Sequence, residues 1–198
     1  MLSHVRALPA LLALALVAAA PATTDGILTM RPDSKLWVDG TSTVRSFSCA
    51  ASTFDAQITA NDLAIDAVLG GTKAVQTVDV SVPVSALDCK NGTMNEHMRK
   101  ALKAEEHPAI AFRLTSYELA QADAVVRATL NGTLTMGGVE KPITFDADVS
   151  PADGGALQVT GAVDVNMKEF GLKPPSLMLG TMKVRENIKV RFQLYLQQ

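Results

Sequence analysis

The chain has 198 residues, of which 18 are Lys or Arg, 20 are Asp or Glu, and 47% are apolar. That length suits one domain whose core needs no extra staples. A formal charge of −2 with scattered basic residues offers a nucleic acid no positive face, which excludes that class of partner.

The N-terminus reads as an export signal. A short basic stretch carries His4 and Arg6, an apolar run extends from Ala7 to Ala20, and Ala20-Pro21-Ala22 supplies the small residues of a peptidase site. A membrane anchor needs about 20 apolar residues. This run is shorter, and Pro9 interrupts its start. No Cys follows it to carry a lipid. The expectation is a signal peptide over residues 1–22, a domain over residues 23–198, and a periplasmic or secreted location. Loss of Arg6 takes the formal charge from −2 to −3.

Beyond residue 30, apolar and polar residues alternate. The first runs hold Leu36 and Val38, then Leu63, Ile65 and Leu69, then Val78, Val80, Val82 and Val84. Ile110, Phe112 and Leu114 follow, then Val126, Leu130, Leu134 and Met136. Three longer runs are Ile143 to Val149, Leu157 to Val165, and Ile188 to Leu196. Period two over so many segments predicts antiparallel strands with one apolar and one wet face. Gly70-Gly71, Gly137-Gly138 and Asp153-Gly154-Gly155 supply turns between them. A sheet of about eight strands curls and closes, and its interior has room for packed side chains or one small ligand. The fold class is therefore all-β, an antiparallel barrel.

One segment lacks the alternation. From Thr93 to Lys103, Met94, Met98, Ala101 and Leu102 recur at helical spacing, and Thr93 with Glu96 matches a capping box. Pro108 stops any continuation. The prediction is a short helix near one barrel mouth, its Met-rich face inward. That face either plugs the core or forms a lid of adaptable thioethers.

Two cysteines remain, Cys49 and Cys89. In an oxidising compartment such a pair forms a disulfide; the alternative is two buried thiols. Their spacing is far from a redox-active C-x-x-C. Nucleophile-elbow, dinucleotide and phosphate-loop motifs are absent from the sequence, and His97 and His107 do not have zinc-ligand spacing. The expectation is no enzyme, no metal and no cofactor. Asn91-Gly92-Thr93 and Asn131-Gly132-Thr133 match the glycosylation sequon, and Gly/Asn-rich turns account for them equally well.

Three segments resemble the YceI-like polyisoprenoid-binding family. Met94 to Leu102 with His107-Pro108-Ala109-Ile110-Ala111-Phe112 looks like its helix and strand entry. Gly132 to Phe145, through Gly137-Gly138-Val139-Glu140-Lys141-Pro142, looks like its central hairpin. Asn166 to Leu172 looks like its Phe-Gly turn, with Lys168 and Glu169 where Arg and Asp are more usual. The resemblance runs from about residue 33 to the C-terminus. It implies a lipocalin-like barrel holding a polyisoprenoid or isoprenoid quinone, with no catalytic residues to carry over. Lys168 would matter only if a headgroup were read by a bidentate Arg, which Lys cannot copy.

Two functions follow. One is an exported protein that shields a long-chain apolar lipid, with a membrane as possible donor or acceptor. The other is a stress or interaction protein with a filled barrel. Inward parity names the candidate lining as Leu36, Val38, Val80, Val82, Ile110, Phe112, Leu114, Met136 and Phe192, with Met94, Met98 and Leu102 from the helix. Small residues sharing that parity (Gly40, Ala67, Ala128, Gly132, Ala147 and Gly161) lean toward a cavity. Nothing in the sequence selects an oligomeric state.

Overall fold

The computed structural model describes residues 25–177 and 182–198; the expected signal segment, residues 1–22, lies outside them. The strands are β1 (Asp25–Met30), β2 (Lys35–Thr41), β3 (Ser46–Ala51), β4 (Asp55–Asn61), β5 (Val75–Pro83), β6 (Leu87–Asp88), β7 (Ala109–Ala122), β8 (Val125–Met136), β9 (Val139–Ala152), β10 (Ala156–Asn166), β11 (Ser176–Leu177), β12 (Met182–Lys183) and β13 (Asn187–Gln197). Two α-helices interrupt them, α1 (Ala64–Leu69) and α2 (Gly92–Ala101).

The ring runs β1-β4-β5-β7-β8-β9-β10-β13 and closes through a β13–β1 pairing, so the expected eight-strand antiparallel barrel is what forms. Two of its members are longer than their labels suggest. β1 and β2 lie end to end along β13, with Met30 opposite Leu196 and Leu36 opposite Phe192. Their partners β4 and β3 are end to end in the same way. At the break in the first, Arg31 N donates to Tyr195 O at 2.8 Å and Tyr195 N donates to Ser34 Oγ at 3.0 Å. The β13 backbone therefore stays satisfied where neither β1 nor β2 flanks it.

Alternation sorts the faces. Outward positions hold cross-strand ion pairs: Arg113 opposite Asp79 (2.7 Å), Arg127 opposite Asp148 (3.1 Å) and Lys189 opposite Asp164 (3.1 Å). The hydrogen bond and charge of Asp79 raise the Arg113 pKa above its ordinary value. An outer face of this kind is the reverse of a membrane-spanning barrel, whose outer band is apolar.

Four local expectations need correcting. The strand through Leu63, Ile65 and Leu69 is instead α1, with Ala64 and Val68 buried four residues apart on one face. β4 and β5 bond directly to each other, and Asn61 N donates to Ala74 O at 2.8 Å, which leaves the intervening chain free to coil over the barrel end. Gly70-Gly71 accordingly closes a helix rather than joining two strands. The α2 cap is Asn91, whose Oδ1 accepts from Met94 N at 2.9 Å; Thr93 lies inside the helix, and Glu96 pairs with Lys100 at 2.8 Å. Asn is as good an N-cap as Thr, and here it stands at the right distance from the third helical N–H. Finally, Asn131-Gly132-Thr133 lies within β8 and not at a turn. The hairpin turns at Gly137-Gly138 and Gly154-Gly155 do take the positive φ that glycine permits.

Candidate ligand-binding site

The barrel encloses a cavity of about 580 Å³ that runs from a floor at Val68 on α1 to a mouth beside α2. Its wall is almost wholly apolar and rich in valine, with Val38, Val78, Val80, Val82, Val163 and Val190 among the lining. Valine side chains are short, so those of opposite strands leave the centre of an eight-strand barrel open. Many of these wall residues face inward yet keep part of their surface exposed, as Leu36, Val80, Leu114 and Val190 do.

All twelve expected residues, nine from strand parity and three from the helix face, stand on this wall. Leu36 and Val38 come from β2, Val80 and Val82 from β5, Ile110, Phe112 and Leu114 from β7, Met136 from β8 and Phe192 from β13. Met94 and Met98 reach the cavity from α2, and Leu102 from just beyond its end. Several lining residues were missed. Val163, Val190 and Leu194 carry the same period-two signal as Phe192. Tyr117 and Leu119 were hidden because β7 shifts register between Leu114 and Ser116, which reverses parity beyond that point.

The argument from small inward residues also needs correcting. Gly40, Gly132 and Gly161 do not open space, because a phenyl ring lies over each. A Cβ built on them would meet Phe47, Phe112 and Phe192 at 2.3, 2.3 and 2.4 Å. Phe145 stands between two of these rings, with centroids 5.5 Å from Phe112 and 5.9 Å from Phe192, both edge-on. Ala67 is on α1 rather than on a strand. Ala128 does line the cavity, near the floor.

Apart from Tyr117, whose hydroxyl is taken up by the Val75 backbone, the polar lining lies at the mouth: Ser42 and Arg45 from the β2–β3 loop, and Asn91, Thr93 and His97 from α2 and its cap. A Cys49–Cys89 disulfide ties β3 to the chain entering α2. Asn95 strengthens that entry, accepting from Cys89 N and donating to Asp88 Oδ1, both at 2.8 Å. Asp88 also accepts from Lys90 N, and these hydrogen bonds, that from Asn95 first, hold its carboxyl below the ordinary pKa. The other side of the α2 end is filled by Leu102, Met136, Phe170 and Leu172, so the opening is off-centre, on the β2–β3 side. His107 lies on the filled side against Gly138, away from His97. Lys168 pairs with Glu186 and is not in the lining, so the departure there leaves the cavity unaltered. Among the described residues, no group of three or more His, Cys, Asp or Glu side chains is placed to hold a metal.

A family model for the YceI-like domain matches residues 33–196. The chain belongs to the YceI-like family. BcnA of Burkholderia cenocepacia has the same fold, with a TM-score of 0.65 at 18% identity over 82% of this chain and 95% of that one. A polyisoprenoid binding domain from Saccharophagus degradans superposes with a TM-score of 0.59 at 10% identity, over 88% of this chain and 98% of its own. In sequence, UPF0312 proteins of Pseudomonas aeruginosa and Pseudomonas paraeruginosa are 27% identical over 103 residues, 48% of this chain. The chain spans about half the length of these curated relatives, 52% in each case.

Proposed function

We propose that this YceI-like protein is an exported carrier that holds one long apolar chain, a polyisoprenoid or isoprenoid quinone, inside its barrel. The observation that carries this is the continuous apolar cavity, floored by α1 and open at a polar-rimmed mouth. Its volume lies in the range of natural ligand pockets. Burial of an apolar chain there would contribute roughly 25 cal/mol per Å² removed from water. The rim would leave a polar end of the ligand in contact with water. The polyisoprenoid-binding neighbour supports the ligand class. The disulfide supports a periplasmic setting. Function then consists of binding and release, without catalysis, metal or cofactor. The test is mass spectrometry of lipids extracted from protein purified from its native host. A stoichiometric isoprenoid is expected; protein free of any lipid, with a cavity that takes up no apolar probe, would overturn the reading.

A further inference from the structure

The cavity opens beside α2 and the β2–β3 loop, and cations unpaired among the described residues gather around that opening. The β2–β3 loop carries Val44 at its tip, 66% exposed, and Arg45 beside it. The segment from Lys183 to Arg185 is bonded to that loop: Thr43 N donates to Lys183 O at 2.9 Å, and Arg185 N donates to Thr41 O at 2.8 Å. Val184 lies between them, bridged to Ser42, and lines the cavity. Alternation along an extended chain therefore turns Lys183 and Arg185 to the outside of the rim, where both are exposed. Among the described residues, none forms an ion pair with Arg45, Lys183 or Arg185.

The opposite end has the opposite sign. Asp62, Asp66, Asp123 and Asp153 are exposed around the α1 floor and its neighbouring turns, again without an ion pair among the described residues. Ile27 and Leu63 are the other large apolar side chains as exposed as Val44, and they belong to this acidic end. At the mouth, Glu96 and Glu186 are taken up by Lys100 and Lys168. Glu105 and Glu169 lie on the filled side, with the turns beside Leu102 and Phe170. Arg45, Lys183 and Arg185 thus gather beside the opening with the exposed Val44, in a chain whose formal net charge is −2.

From this we infer that the protein docks mouth-first on an anionic lipid bilayer, with Arg45, Lys183 and Arg185 against phosphate headgroups and Val44 dipping into the interface. The inference rests on the lipid-carrier reading and supplies its missing step: the opening faces the membrane, so an apolar chain passes between bilayer and barrel without crossing water. Acidic residues at the far end oppose the inverted approach. Each cation near an anionic surface strengthens binding by about fivefold, and salt screens the effect.

The experiment is co-sedimentation of the purified protein with vesicles of phosphatidylcholine alone or mixed with phosphatidylglycerol. Binding to the mixed vesicles is expected, falling as salt rises. A Lys183→Ala/Arg185→Ala double variant should bind about 25-fold more weakly, since two cations are removed. Lys73→Ala, which removes a cation from the closed end, should bind as the parent does. Equal binding to both vesicle types, no binding to either, or a double variant indistinguishable from the parent would overturn the docking proposal. Lipid content is measured on the same samples. Parent protein that holds lipid but does not dock refutes the docking alone. Protein that docks but holds no lipid refutes the carrier reading and leaves the docking supported.

Discussion

The rings over Gly40 and Gly132 make opposite forecasts from one added methyl group. In Gly40→Ala, the three atoms nearest the new Cβ all belong to the Phe47 ring, at 2.3, 2.8 and 2.9 Å. Phe47 lines the cavity, so its ring has open space into which to turn. An off-rotamer shift costs about 0.5–1.5 kcal/mol, and loss of glycine freedom in the unfolded chain returns about 0.4–1 kcal/mol. The net change is expected within about 1 kcal/mol of zero. In Gly132→Ala, the methyl meets Phe112 at 2.3 Å and also the Arg113 carbonyl oxygen at 2.5 Å. That oxygen belongs to the β7 backbone and cannot yield without disturbing the β7–β8 ladder. Overpacking of this kind costs about 1–3 kcal/mol, and the upper half is expected. Urea denaturation of delipidated protein measures both, and extraction of the undelipidated samples reports lipid retained. Both variants push a ring into the cavity and should lower retention; only Gly132→Ala should lose stability. If Gly40→Ala costs as much as Gly132→Ala, Phe47 has no space to enter and the hollow barrel is refuted.

Other perturbations test the remaining parts of the site. Replacing both Cys49 and Cys89 by Ala opens a loop with a sequence separation of 40, worth up to about 4 kcal/mol in the chain-entropy model, or roughly 8–16 °C in Tm; a change below about 1 kcal/mol by calorimetry would count against the disulfide as a stabiliser. Ala128→Leu fills the deep end of the cavity, and lipid should be lost while the fold stays intact; destabilisation of delipidated protein by about 1–3 kcal/mol would instead indicate a packed floor. Because the folded-state pKa of Asp88 is depressed, the stability it confers is present above the ordinary carboxylate range and is lost as pH falls through the lowered value. Hydrogen exchange at the start of α2 should accelerate over that acid window in the parent and lose this pH dependence in Asp88→Asn. Exchange that responds to acid identically in both would rule Asp88 out.

Much of the architecture follows from alternation along the chain. Val78 to Val84, Ile143 to Val149 and Ile188 to Leu196 each show one wet and one apolar face in the sequence, and a sustained period of two matches a half-buried strand. The same parity identified nine cavity-wall residues without knowledge of strand order, because inward and outward are local properties of each strand. Pairing of the two cysteines needed only their number and the expected compartment.

Other features depend on partners distant in sequence. Leu63 to Leu69 has a pattern that suits a strand, and it coils because β4 and β5 use each other's edges and leave it none. Tyr117 and Leu119 face inward through a register shift against β8, invisible in β7 alone. Glycines that read as space are seats for phenyl rings from neighbouring strands. Above all, hollow and filled barrels share one alternating pattern. Whether side chains meet at the centre depends on how far across the closed ring they must reach, and a distance between strands is set only when the sheet closes.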